Sequence, residues 1–339
     1  MSFVKDLLKN KSFYLSLIFL AIGFYAGFYW QNIQTKPAIQ NNQTNASSEF
    51  HAGGYQFINP LYECNTGENY GTEKLVSIEK DVQNYIHQVT DTGPTNHVGV
   101  YFRDLNNGPW FGINEHDDFT PSSLLKTPVM MAYFKEAESN PSILSKKIKY
   151  LEDPPGLIPQ DFPPKDALEK GKTYTVEELI ERMIASSDNV ALRLLEENID
   201  NAKIDKVTID LGITTATNST PDDFMDVQEY STLFRVLYYA TYLNKDYSEK
   251  ALQILSDSEF KQGLVAAVPK NIPVAHKFGE RHLDNGINQL HDCGIVYYPN
   301  RPYLVCVMTR GTDFNDLAIT IREVSSKIYQ EFSRKYPKG

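Results

Sequence analysis

Five short segments of strand character stand in two groups, and a long helical block separates the groups. Residues 97–105 and 110–114 form the first pair, joined by Asn106-Asn107-Gly108, a tight-turn signal. Residues 272–278, 293–298 and 303–309 form the second group. A helical period of Leu75, Ile78, Val82, Tyr85, Ile86 and Val89 precedes everything and stops at Thr92-Gly93-Pro94. Leu317, Ile321, Val324, Ile328 and Phe332 mark an amphipathic helix at the end. Hairpin-linked strands with terminal helices predict an α+β fold, a mainly antiparallel sheet covered by those helices. The block at residues 121–250 then becomes a second, helical lobe, and a pocket is expected where the lobes meet.

Within that block residues 129–137, 176–197 and 227–243 are the clearest helices, while Pro154-Pro155 and Pro163-Pro164 break an intervening loop. A chain of 339 residues with 41% hydrophobic content has ample material for a core. Its net charge of −10 excludes nucleic acid as a partner, since no basic surplus exists to neutralise phosphates.

The N-terminus carries a separate message. Residues 13–30 are uncharged and strongly apolar, and 18 residues just span a bilayer core as a helix. Lys5, Lys9 and Lys11 precede the run and only Lys36 follows closely, which places the N-terminus in the cytoplasm. The alternative is a cleaved signal peptide processed near residues 21–26. The length of the run and its aromatic end, Tyr25, Tyr29 and Trp30, favour an uncleaved signal-anchor. Either way the rest of the chain is expected outside the cytoplasm, at the cell membrane as a single-pass protein. Gly23 and Gly27 form a GxxxG pattern, a spacing of small residues that can bring two membrane helices together as a dimer. The expected division is residues 1–12 cytoplasmic, 13–30 anchor, 31–71 polar linker and pre-domain segment, and 72–337 the domain. Aromatics at residues 55–70 have no placement from sequence. Cys293 and Cys306 flank Pro299-Asn300 symmetrically, so they face each other as a disulfide or as two buried thiols, and Cys64 is left over.

Three short segments carry the chemistry. Ser123-Leu124-Leu125-Lys126 opens a helix, and a spacing of three brings Lys126 onto the face of Ser123. A serine nucleophile needs a base, and a lysine shielded from water serves as one. Ser-x-x-Lys alone is weak, because Ser77-Ile78-Glu79-Lys80 matches it on an ordinary amphipathic helix. Ser187-Asp188-Asn189 has apolar helical sequence on both sides, which suits a short link between two helices; by itself it reads as a helix cap. Lys277-Phe278-Gly279 lies on a predicted edge strand, where Gly279 admits a substrate backbone and Lys277 adds positive charge.

In this order and spacing the three segments resemble the motifs of the class A β-lactamase and penicillin-binding serine hydrolases. The likeness spans about residues 73–336. It implies a five-stranded antiparallel sheet with flanking N- and C-terminal helices plus an all-helical lobe. It also implies roles. Ser123 is then the acylated nucleophile, Lys126 its base or relay, and Ser187 the proton donor to the leaving nitrogen. Asn189 holds Lys126 or the substrate amide, Lys277 supplies the field, and the N–H groups of Ser123 and Glu280 form the oxyanion hole. Gly279 and Glu280 line the substrate on this reading. No metal or organic cofactor is implied. The substrate is a β-lactam or a peptidoglycan-derived peptide.

Two departures stand out. Phe278 occupies a position where the family has Thr or Ser, which loses a hydroxyl contact to a substrate carboxylate; Arg281 and His276 are the candidate replacements. Class A members also carry a Glu after the second motif to activate the deacylating water. Between Leu211 and Val227 this chain has none, and Asp222 or Asp223 are shorter stand-ins. Three functions therefore compete: a β-lactam-hydrolysing enzyme, a D-alanyl peptidase that forms stable penicilloyl adducts, and a non-catalytic binding module of the same fold. Adjacent His291 and Asp292 are not read as a Ser-His-Asp relay, since neighbouring strand residues point to opposite faces.

Overall fold

The computed structural model describes residues 49–51, 54–64, 75–106, 108–215, 219–283 and 285–337, all within one unit, Ser47–Gly339. The predicted span at residues 13–30, with Gly23 and Gly27, lies outside the described residues. Among those described, no helix is long and apolar enough to cross a membrane.

In chain order the elements are β1 (Glu49–His51), β2 (Leu61–Cys64), α1 (Val76–Thr92), β3 (Thr95–Asp104), β4 (Trp110–Ile113), β5 (Asp118–Phe119) and α2 (Lys126–Ala137). Then come β6 (Lys147–Lys149), β7 (Thr173–Thr175), α3 (Val176–Ala185), α4 (Asn189–Glu196), α5 (Asn201–Asp210), β8 (Met225–Asp226), α6 (Val227–Tyr238) and α7 (Lys245–Ser256). The chain closes with β9 (Val274–His282), β10 (Asn288–Val296), β11 (Tyr303–Gly311) and α8 (Phe314–Lys335). The main sheet has five strands in the order β4-β3-β11-β10-β9, every neighbour antiparallel. This is the α+β architecture expected from the strand grouping.

Every residue of β10 is buried, because the sheet is covered on both faces. One face meets α1 and α8 through Ile78, Val82, Val100, Phe102, Val305, Ile321 and Phe332. The other meets the helical lobe through Tyr101, Ala275, Cys293, Cys306, Met130, Phe134, Leu233 and Leu252. Cys293 and Cys306 stand directly opposite in the β10–β11 register and are joined by a disulfide.

The helical period at residues 176–197 is interrupted. α3 ends at Ala185, Ser187 takes a positive φ of 54°, and Asp188 caps α4 by accepting from the N–H groups of Val190 and Ala191. Two helices with a short polar link result, so the second motif is held at the meeting of two helix ends.

Residues 55–60, unplaced from sequence, are strapped to the domain. The Glu249 carboxylate accepts from the N–H groups of Gln56, Phe57 and Ile58 at 2.8–2.9 Å. Asn59 N–H donates to Tyr238 O, and Phe57 packs edge-on against Tyr297.

Candidate active site

Ser123 lies on a 3-10 turn, Ser122–Leu125, that runs straight into α2. In a 3-10 turn residues i and i+3 eclipse, so Lys126 stands over Ser123, and its N–H donates to Ser123 O. Ser122, just before the nucleophile, has φ of 50°, a left-handed conformation that costs energy for a residue with a side chain and needs support from its surroundings.

Lys126 is buried, and its amine donates to Ser187 O at 2.5 Å, Asn189 Oδ1 at 2.7 Å and Ser187 Oγ at 3.0 Å. Burial lowers its pKa from 10.5 to about 7, against the opposing fields of Asp188, Glu280 and Glu196. Lys277 enters from the sheet. Its amine donates to Ser187 Oγ at 2.9 Å and to Phe278 O at 2.9 Å, with the Phe278 ring centroid 4.3 Å away. Burial first, and the Lys126 charge second, depress the Lys277 pKa well below its usual value. Three motifs from three parts of the chain thus converge on one hydroxyl, Ser187 Oγ.

Gly279 lies against the nucleophile turn. A Cβ there would sit 2.9 Å from Pro121 O and 3.0 Å from Leu124 Cγ, so the glycine lets edge strand β9 approach the nucleophile turn. Glu280 turns its carboxylate onto the proline-rich loop, accepting from Asp161 N–H at 2.9 Å and Phe162 N–H at 3.3 Å. Burial raises its pKa, while those two amides and Lys277 hold it down. The same loop donates from Gln160 Nε2 to Ser187 O at 3.0 Å and accepts at Ile158 O from Asn189 Nδ2 at 3.1 Å. Gln160 and Ile158 were not legible as site residues: a polar side chain and a carbonyl in a long loop carry no spacing signal.

Phe278 packs into a four-phenylalanine cluster, stacked on Phe260 at 4.4 Å and edge-on to Phe162, which also meets Phe314. The aromatic ring at this position therefore seats the loop beside the site. His276 is no replacement for the lost hydroxyl, since it is fully buried with Nδ1 2.7 Å from Asp292 Oδ1. Arg281 lies on β9 two residues past Gly279, partly buried, with Nε unpartnered. Asp222 is exposed, and Asp223 is engaged by Thr120, Gln289 and Arg310. Among the described residues no carboxylate is bonded to Lys126. His291 and Asp292 do not form a relay: His291 Nδ1 accepts from Thr309 N–H, so Nε2 carries the proton and donates to Thr120 O at 3.0 Å. Burial keeps that imidazole neutral, with a pKa of about 4.

A helical lobe and an antiparallel sheet thus bring Ser-x-x-Lys, Ser-Asp-Asn and Lys-x-Gly to one point. The chain belongs to the beta-lactamase enzyme family, whose family model matches residues 77–332. It is similar to the β-lactamase VEB-1 of Pseudomonas aeruginosa, 24% identical over 221 residues, covering 60% of this chain and 73% of that one. Among solved structures, PBP-A superposes with a TM-score of 0.63 at 24% identity, covering 75% of this chain and 96% of its own. A class A β-lactamase from Bacteroides cellulosilyticus gives 0.64 at 19% identity, with 76% and 99% covered. These structural likenesses establish the fold, and the family resemblance read from the motifs is borne out.

Proposed function

We propose that this chain is an active-site serine hydrolase that is acylated at Ser123 by β-lactam-type amides. The observation that carries the reading is the convergence of Lys126 and Lys277 on Ser187 Oγ beside the Ser123 turn. In the proposed step Ser123 Oγ attacks the carbonyl carbon and its proton passes to the neutral amine of Lys126. The backbone N–H groups of Ser123 and Glu280 hold the oxyanion. The C–N bond then breaks as the nitrogen takes a proton from Ser187 Oγ–H, which the neighbouring lysines replenish. Asn189 keeps Lys126 in place. The apolar run at residues 13–30 supports a membrane-anchored, extracytoplasmic placement.

A second reading, a D-alanyl peptidase of peptidoglycan, is favoured by one observation. No carboxylate among the described residues is bonded to Lys126, so no dedicated base for the deacylating water is evident. PBP-A, a structural neighbour, has been solved in mutant form as its acyl-enzyme complex with penicillin G.

Intact mass spectrometry of the domain with penicillin G, beside Ser123→Ala, tests both. A Ser123-dependent adduct is expected. Rapid loss of that adduct identifies a β-lactamase, and persistence identifies a penicillin-binding peptidase. No adduct in the wild type overturns the acyl-enzyme reading and leaves a binding module.

A further inference from the structure

Thr120, three residues before the nucleophile, has each of its three polar groups bound by side chains from other elements. Its N–H donates to Gln289 Oε1 at 3.0 Å, and its Oγ1 donates to Asp223 Oδ1 at 2.6 Å. Its carbonyl accepts from His291 Nε2 at 3.0 Å. Gln289 and His291 lie on β10 and are fully buried. Asp223 belongs to the segment just before β8 and joins the set together. Its Oδ1 also accepts from Gln289 Nε2 at 2.7 Å, and its Oδ2 accepts from Arg310 Nη2 of β11 at 2.7 Å. Arg310 donates onward to Asp118 O at 3.0 Å, in β5, which pairs with β8. The clamp therefore grips the chain immediately upstream of Pro121 and of Ser122 with its left-handed φ.

We infer that Asp223 is a positioning residue for acylation: through Thr120 it holds the strained turn that presents Ser123. This rests on the acyl-enzyme reading of Ser123. The alternative role for an acid in this segment, activating the deacylating water, requires a carboxylate free to face the acyl group. Both Asp223 oxygens are occupied by the clamp. A strained backbone conformation persists only where its surroundings over-determine it, and the Thr120 contacts supply that constraint. Loosening it displaces the nucleophile from its attack geometry before the ester exists, and once the ester has formed the covalent bond itself holds the serine.

The test separates the two steps. Acylation by a chromogenic cephalosporin and decay of the acyl-enzyme are measured for the wild type, Asp223→Ala and Asp223→Asn, with amide hydrogen exchange over residues 118–126. Asp223→Ala is expected to slow acylation by about 10- to 100-fold. The acyl-enzyme lifetime should stay within about twofold, and the Thr120 amide should exchange faster. Asp223→Asn keeps an acceptor oxygen for Thr120 and should recover most of the rate. Unchanged acylation with a lengthened acyl-enzyme lifetime would overturn the inference in favour of water activation. Unchanged Thr120 exchange would overturn it as well. If Asp223→Ala does not fold, Thr120→Val removes only the hydroxyl from the clamp and is expected to slow acylation in the same way, while an unchanged rate overturns the inference. If the wild type is never acylated, the functional reading fails first, and the exchange measurement still decides whether the clamp exists.

Discussion

Lys126 and Lys277 donate to the same oxygen, Ser187 Oγ, at 3.0 and 2.9 Å. One comes from α2 in the helical lobe and the other from β9 in the sheet, and neither is solvated. Two buried ammonium groups sharing one acceptor repel each other, so the pair favours having at least one neutral amine near neutral pH. That is the condition a lysine base requires.

The pH dependence of acylation follows. Only the neutral amine of Lys126 accepts the Ser123 proton, and its pKa falls from 10.5 to about 7. The rate should therefore rise with pH through about 7 and level off above it. Single-turnover acylation measured across neutral pH checks this. A rate that is flat there, or that rises only at strongly alkaline pH, contradicts the assignment of Lys126 as base.

Removing the shared oxygen should disable both lysines at once. Ser187→Ala and Lys126→Ala are each expected to slow acylation by about 10²- to 10⁴-fold. The double variant should be little worse than either single one, because the groups act as a unit. Additive losses in a double-mutant cycle would show that the contacts work independently.

Restoring a small hydroxyl at position 278 should cost stability. Phe278 is 2% exposed and stacked on Phe260, so Phe278→Ser leaves a cavity in the aromatic cluster. A loss of about 3–5 kcal/mol is expected by denaturant unfolding. A loss under about 1 kcal/mol would mean that the cluster closes over the gap.

Glu280→Ala should release the proline-rich loop. The carboxylate accepts from both Asp161 and Phe162 N–H, and its removal leaves those amides to water. About tenfold faster hydrogen exchange at these two positions is expected, roughly 1.4 kcal/mol of local stability. Unchanged exchange would assign the loop's position to Phe162 packing alone.

The disulfide closes a sequence separation of 13 residues between β10 and β11. Replacing Cys293 and Cys306 with serine should lower unfolding free energy by about 2–4 kcal/mol. An unaltered denaturation midpoint would show that the sheet register needs no cross-link.

Much of this protein was legible in the chain itself. Strand grouping, the Asn106-Asn107-Gly108 turn and the two terminal helical periods predict an antiparallel sheet covered by helices and a helical lobe, because periodicity and turn chemistry are local properties, whereas the strand order rests on the long-range pairing of β3 with β11. The symmetry about Pro299-Asn300 likewise predicted that Cys293 faces Cys306, since an antiparallel hairpin counts residues equally from its turn. The order of the three motifs, through their resemblance to the family's, singled out Ser123, Lys126, Ser187, Asn189 and Lys277, and folding brings the side chains of the last four within hydrogen-bond reach of one another. Other matters depended on the folded chain. Gly279 gives room to Pro121 and Leu124, Glu280 grips a loop far away in sequence, and Asp223 binds Thr120 across 103 residues. Hydrogen bonds between distant segments leave no periodic trace. Lysine, likewise, has one intrinsic pKa along a chain. Only burial, a property of tertiary packing, brings Lys126 to about 7.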